Sequence, residues 1–547
     1  MNEEYKTENL DHLGIVAGIC EQIGLIEQID ARVPDTGRKV SVGQAVQAMV
    51  INGLGFVGRA LYLTPEFYRS KPIDLLIGEG IEAEDLNSDS LGKALDQLYQ
   101  AGISEIFAAV CAHALRVFGI VVRFAHLDTT AFSLQGNYKV EKGTDTPEPE
   151  VISINYGYTK DHRPDLKQAI LGMICANRTS IPTYLNALSG NVSDKTSMPE
   201  IAEVYLAQFS EEEETPILVA DAALYSADNI KRLSENKWVS RVPATISQAK
   251  ELLAQTDVSQ MRASERETHF YHEVESNYGD VEQRWLIVLS EARRQQELDQ
   301  FERRILREQE KLGKQAKKLQ RQVFNCEVDA QKALKQFAKT YKLHTIVGHI
   351  NSSERYAQAG RPKVDSPIVI DWQIQVTFDR DEAKIDQAQK PLGKYIFATN
   401  VLDKLELPAE ELLSVYKEQN CSVERGFRFL KDPFFFASSF FLKKPSRIMA
   451  LLMVMGLSLL IYALAEHNLR QQLLEQDQSI PDQKGKSTQN PTMRRVFQMF
   501  EGIHILNIET AQFRKRMVTN VQEVHLQIAT LLGDPILKFY TFDESTL

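Results

Sequence analysis

The sequence is short of the residues that build stapled or metal-clasped domains. Its 547 residues hold five cysteines, Cys20, Cys111, Cys175, Cys326 and Cys421, an odd number and never closer than 64 residues. That spacing excludes zinc ribbons, zinc fingers and thioredoxin-type pairs, and it points to a reducing, intracellular setting. No internal repeat or low-complexity tract is present, and 28 glycines and 19 prolines are too few for a collagen-like or disordered chain. The N-terminal MNEEYKTENLDHLG is acidic and polar, so no secretory signal is expected before the first apolar helix. Positive charge is also in deficit. With 63 Lys+Arg against 74 Asp+Glu, the net charge is −11, which on its face argues against a nucleic-acid binder.

Long apolar runs are scarce, with one exception. Ile448 to Ala465 reads IMALLMVMGLSLLIYALA, 18 residues without a charge. As a helix it would run about 27 Å, just enough to cross a bilayer. A buried core helix gives the same pattern. Because the run starts 24 residues after the charged block around Glu424, a core helix packed under a sheet is the favoured reading, and no membrane is expected.

The acidic total is unevenly spread. Residues 1–100 hold 8 basic and 16 acidic residues, and residues 196–216 hold six acidic and no basic ones. Positive charge collects at 291–343 (14 basic, 8 acidic), at 424–447 (a local +4) and at 484–516 (seven basic, two acidic, including MRRVF and FRKRM). The net charge therefore does not exclude DNA. It says which parts should face it, and it counts against the N-terminal region as the main DNA grip.

Length alone suggests three or four folding units. Residues 1–115 carry helical spacing. From Ile120 the texture turns to short β-branched runs: GIVVRFAHLD ending at Asp128, then VISINYGYT, AILGMICANR and IPTYLNALSG. A helix over 196–210, the strand ILVAD ending at Asp221, the helix SADNIKRLSEN and the strand KWVSRVP complete the first part (116–244) of an α/β sheet with covering helices. Residues 245–390 interrupt it. Within them Leu298, Ile305, Leu312, Leu319 and Cys326 recur every seven residues in a charged surround, as expected of a long exposed helix packing one narrow stripe. Residues 391–470 would return to the sheet, where KEQNCSVERGFRFLKDP reads as one helix stopped by Pro433. Residues 471–547 read as helical.

Three acidic residues sit where a two-metal site would want them. Asp128 and Asp221 close predicted strands, and strand ends are where α/β sheets place ligand sites. On a helix, Arg428 and Lys431 fall within roughly 40° of Glu424, so a carboxylate would stand beside two cations. Hard oxygen ligands of this kind suit two magnesium or manganese ions acting on a phosphodiester. Each residue also has an ordinary explanation, as a turn aspartate, a helix cap or a surface i,i+4 pair. Glu418 is the rival third carboxylate. His126, two residues before Asp128 on the same strand face, reads more simply as a satisfied core histidine than as a site residue. Asp161, His162, Arg163 and Asp165 read as a tight turn.

The blocks HLDTTAF around Asp128, GYTKDHRPDLKQ (157–168), GNVSD (190–194), VADAALYS around Asp221 and YKEQNCSVERGFRFLKDP (416–433) together resemble the DDE transposases of insertion sequences. The similarity is to the insertion-sequence-four superfamily, on its sixteen-thirty-four branch, and spans most of 120–470. It implies an RNase H-like mixed sheet interrupted by a large insertion, with helical N- and C-terminal regions. It implies a catalytic triad Asp128, Asp221 and Glu424 holding two Mg2+ or Mn2+ ions. The partners implied are double-stranded DNA at terminal inverted repeats and target DNA, a homodimer in the DNA complex, and a cytoplasmic, nucleoid-associated setting. Cleavage would pass through a hairpin on the element end. In the family's tyrosine-arginine-glutamate-lysine signature, Glu424 and Lys431 keep their spacing, Tyr416 stands one residue too far upstream, and Gln419 occupies the arginine position. No residue fills the arginine role and Arg425 and Arg428 are candidate substitutes, so Tyr416, Arg425, Arg428 and Lys431 are the expected DNA contacts. A two-metal nuclease without strand transfer, or an inactive relative, would carry the same residues. A membrane or coiled-coil scaffold rests on hydropathy alone.

Overall fold

The chain around Asp128 forms strand β1, Phe124–Leu134, in the computed structural model, which describes residues 4–57, 61–134, 138, 151–157, 165–209, 214–357, 367–419, 422–435, 442–509 and 514–546; the β-branched Ile120, Val121 and Val122 of the expected strand precede it. The strand runs six residues past Asp128, so this aspartate lies within a strand and not at its end. The reason is its two partners. β2 (Lys167–Ala176) pairs antiparallel with β1 through Leu134↔Lys167, while β4 (Ile217–Ala220), parallel to β1, stops at Leu127↔Ala220. What ends at Asp128 is the parallel ladder. Between them in sequence lies β3 (Pro182–Ser189), antiparallel to β2, and β5 (Trp238–Val242) extends the parallel side, for an order β3-β2-β1-β4-β5. Helices Asp194–Leu206 and Ala227–Arg232 make the crossovers that parallel neighbours require. The expected alternation of strands and helices is present, with one change. Among the described residues VISINYGYT makes a single bridge, Asn155↔Gln168, and IPTYLNALSG supplies the third strand.

The chain divides into two compact units. The first comprises Met1–Ser240, Tyr278–Val281 and Glu411–Leu547. Its core is organised around the apolar run, which forms the helix Pro445–Glu475 with Pro445 in its first turn. This helix has a mean hydropathy of 2.5 over its best window, enough to span a membrane, yet 89% of that window is buried inside the protein. Side chains from Val42–Leu54, Ser88–Ala101, Ile103–Val117, β3 and Glu523–Leu532 surround it. Gly456 lets this helix press close. A Cβ there would lie 2.6 Å from Leu185 Cδ1 and 2.9 Å from Phe107 Cε2. The N-terminal helices have ordinary local causes, such as the capping box of Ser41 and Gln44 on Val42–Leu54. The ends of the chain are not wholly helical. Glu4–Asn9 pairs with His504–Glu509, and Arg514–Thr519 and Asp543–Thr546 complete a four-stranded sheet.

The second unit comprises Arg241–Asn277 and Glu282–Glu410. Strands Lys394–Thr399, Val281–Ser290, His269–Tyr278 and Arg262–Ala263 lie in that order. A separate three-stranded sheet pairs the long hairpin His344–Tyr356 and Ile368–Arg380 with the short strand Val323–Phe324. The heptad stretch is a 30-residue helix, Glu291–Gln320, that buries one stripe through Ile305, Leu312 and Ala316. The helix ends before Cys326, which instead caps the next helix, Glu327–Thr340. The narrow stripe is real, but its last member belongs to another element.

Candidate functional site

Two of the three expected carboxylates are brought side by side by backbone pairing. The parallel register Leu127↔Ala220, continued by one residue, sets Asp128 beside Asp221 at about the 5 Å spacing of neighbouring strands. Both are half-buried. Each is turned by its own backbone: Thr129 N–H donates to Asp128 Oδ1 at 2.8 Å, and Ala223 N–H donates to Asp221 Oδ1 at 2.8 Å. The second contact is an Asx-type turn that stops β4. Ser240 Oγ donates to the Asp221 carbonyl at 2.9 Å, tying this end to β5.

Glu424 lies on a short helix, Val423–Leu430, packed over the same face of the sheet. Directly opposed residues of an antiparallel pair point to one face, and Asp128 is opposite Met173. The Met173 side chain meets the bare Gly426, where a Cβ would stand 2.9 Å from its Cε. Lys431 follows this helix, and its ammonium lies 5.8 Å from the ring centre of Phe132, two alternations along β1 from Asp128. Glu424, Arg428 and Lys431 are exposed. Among the described residues, no three His, Cys, Asp or Glu side chains converge closely enough to hold a metal ion.

The expected single helix through this block is two. Ala409–Glu418 ends before Val423 begins, and Ser422 between them has a non-helical backbone (φ −99°, ψ −105°). Glu418 and Glu424 therefore belong to different axes. Glu418 is engaged elsewhere, 2.5 Å from Arg178 Nη2 and accepting from Ser414 Oγ at 2.6 Å. Tyr416 is half-buried on the first of these helices. Gln419 turns out to have a defined place: its buried amide donates to the carbonyl of Leu127, the residue before Asp128, at 3.2 Å. A neutral donor suits that site, because a buried guanidinium would need a partner for its charge.

Two further residues were not singled out from the sequence. Thr129 Oγ1 donates to Asp194 Oδ1 at 2.6 Å, linking GNVSD to the strand beside Asp128. The GNVSD block itself was the available signal. His126 is fully buried, and burial pushes its pKa down to about 4, so its imidazole is neutral. Neither ring nitrogen has a hydrogen-bond partner among the described residues, so it is a core histidine but not a satisfied one. Asp161, His162 and Arg163 lie outside the described residues.

Residues 141–461, more than half of the chain, match the family model described as a transposase DDE domain. The chain belongs to the DDE transposase family. Residues 5–112 match a second model, a domain of unknown function (DUF4277) typical of transposases. No curated protein matches the chain. The matched stretch of this DDE transposase includes Asp221 and Glu424 and begins shortly after Asp128.

Five of the transposase's expected phosphate-facing cations are engaged internally. Arg425 points away from Glu424 to Glu466, 2.5 Å away, which also accepts from Met493 N–H at 3.0 Å and pairs with Arg470 at 2.9 Å. Arg447 pairs with Asp96 at 2.6 Å, Arg494 with Asp432, Lys515 with Asp543 at 3.2 Å, and Arg516 with Asp74 and Glu8. Five of the thirteen basic residues at 424–447 and 484–516 thus help hold the first unit together.

Proposed function

We propose that this DDE transposase cuts at the ends of an insertion sequence and joins the freed strands to target DNA, using Asp128, Asp221 and Glu424 on an RNase H-like core of the insertion-sequence-four type. The observation that carries the reading is the register that seats Asp128 beside Asp221, with the Glu424 helix on the same face. The donor chemistry fits divalent metal ions, which the family generally uses. Two adjacent carboxylates offer hard oxygen ligands, and magnesium keeps several waters, so it needs few protein donors. Asp128 and Asp221 would hold it, with Glu424 as the third donor. When bound, two such ions activate the attacking water or 3′-hydroxyl and stabilise the leaving oxygen.

The chain's own residues do the positioning. Gln419 and Thr129 anchor the strand on either side of Asp128, and the Asx turn holds Asp221. Arg428 and Lys431, exposed beside Glu424, would take DNA phosphates and fix register without reading bases, with Tyr416 and the solvent edge of Arg425 as further contacts. By the same reading the protein works on DNA in the cytoplasm, as a dimer that synapses two element ends through a hairpin intermediate, and its apolar helix stays in the core.

Asp221→Asn tests this. It keeps the volume and the turn but removes the charge. Metal-dependent cleavage of a duplex carrying the element's inverted repeat should fall at least about a hundredfold, some 2.7 kcal/mol of transition-state stabilisation, while duplex binding holds. Cleavage at the wild-type rate would overturn the assignment.

A further inference from the structure

The long helix Glu291–Gln320 of the second unit has a charge pattern that its packing does not explain. Taking 100° per residue from the buried Ile305, the cations Arg303, Arg307, Lys311, Lys314 and Lys318 all fall within roughly 160–240°, directly opposite the buried stripe. All five are exposed. No ion pair engages any of them among the described residues, in contrast to the paired arginines of the first unit; Arg303 makes one bond, to the Asp299 carbonyl at 3.1 Å. Three acidic residues of the helix, Glu297, Glu302 and Glu308, sit on the flanks of the buried stripe and are drawn inward. Glu297 takes Arg293 and the Gly393 N–H, Glu302 pairs with Arg380 at 2.7 Å, and Glu308 accepts from His344. Asp299 and Glu310 border the cationic stripe on one side.

The five cations adjoin one another along the helix more than a solvated face needs. A stable exposed face alternates signs at i,i+4 so that neighbours attract. Asp299 and Glu310 stand four residues before Arg303 and Lys314, but the steps of four, four, three and four between the cations themselves place like charges next to one another, which costs stability unless something negative lies along them. The stripe is about 22 Å long, or six to seven base pairs of B-form duplex at 3.4 Å each. Its width, its lack of aromatic residues and its single sign match a phosphate backbone and offer nothing to read base edges.

We infer that the Arg303–Lys318 stripe is a second, sequence-independent grip on duplex DNA, built into the insertion and separate from the carboxylate site. The inference rests on the reading of the protein as a DNA-cutting transposase, but its test does not depend on cleavage. The five-fold variant R303Q/R307Q/K311Q/K314Q/K318Q preserves helix propensity and side-chain length. Its binding to a random-sequence 30-base-pair duplex is measured by fluorescence anisotropy between 50 and 200 mM NaCl. Each phosphate contact removed should reduce the slope of log K against log salt by about 0.9, so the slope should flatten by about four to five. The milder R307Q/K311Q/K314Q variant should flatten it by about three, which covers the case in which the first misfolds. Wild-type slope and affinity in a folded variant would overturn the inference. The Asp221→Asn protein serves as the cross-control. If it binds as wild type and still cleaves, the carboxylate assignment fails while the stripe result stands; if the stripe variants bind as wild type while Asp221→Asn stops cutting, the reverse holds.

Discussion

Replacing Gln419 with alanine tests how the sheet holds Asp128 in place. The amide, 6% exposed, donates to the carbonyl of Leu127, itself fully buried, at 3.2 Å. Removing the donor costs about 1–3 kcal/mol for the carbonyl it leaves behind, and the lost methylene adds about 0.8 kcal/mol. The expected destabilisation is therefore about 2–4 kcal/mol, read from urea unfolding followed by intrinsic fluorescence at neutral pH. Because the contact lies one residue from Asp128, the variant should also cut more slowly. A displacement of the reacting groups well under 1 Å is enough for about a tenfold loss at saturating DNA, where a full ångström can cost about a hundredfold. Gln419→Glu sharpens the case. It keeps the volume, exchanges the donor for an acceptor facing the carbonyl, and adds a buried charge, so at neutral pH it should lose at least as much as alanine. If both variants unfold at the wild-type midpoint and cut at the wild-type rate, the amide does not anchor this strand and the reasoning fails.

His12 is buried, its Nε2 bonded to the Leu54 carbonyl at 2.9 Å and its ring stacked on Phe497, and burial holds its pKa down at about 4. Since that lies below the unfolded value of about 6.5, its contribution to stability is complete above pH 6.5 and drains away as pH falls towards 4, a loss of about 3 kcal/mol at full extent. His12→Gln should make the acid limb of a stability-against-pH curve shallower in that window; an unchanged limb would contradict the assignment. Glu466 is buried and accepts from Arg425, Arg470 and the Met493 N–H, so Glu466→Ala strands two guanidinium groups. A loss of about 3 kcal/mol is expected, at the low end for a broken buried pair because both arginines keep some solvent contact. Glu466→Gln should recover part of it in the same unfolding assay.

Local pattern made much of the sheet legible. Short β-branched runs separated by turn residues have few alternatives, and so the strands ending at Ala220 and Val242 and their intervening helices lie where alternation places them. Partner length was not legible. β1 reads as ending at Asp128 because the apolar run ends there, but the antiparallel strand beside it carries the ladder six residues further. The break between Glu418 and Val423 was equally hidden: no proline stands between Tyr416 and Leu430, and the second helix packs on β1 and β2 along an axis of its own. The same holds for Gln419, which in sequence is merely a departure from a signature and in the fold is the amide bound to Leu127.

Charge shows the division most clearly. Composition and spacing alone determined which acids could form a phosphoryl-transfer site, which stretch would be a long helix with a narrow apolar stripe, and where basic residues are dense. They could not say which cations are available, because a guanidinium's availability depends on the carboxylate that folding brings to it. Arg447 and Arg516 meet Asp96 and Asp74 from more than 300 residues away, while the five cations opposite Ile305 meet none among the described residues. Sequence determines periodicity, because neighbours on a helix or strand are set by local geometry. Tertiary structure decides register and ion pairing, because both depend on contacts between segments far apart in the chain.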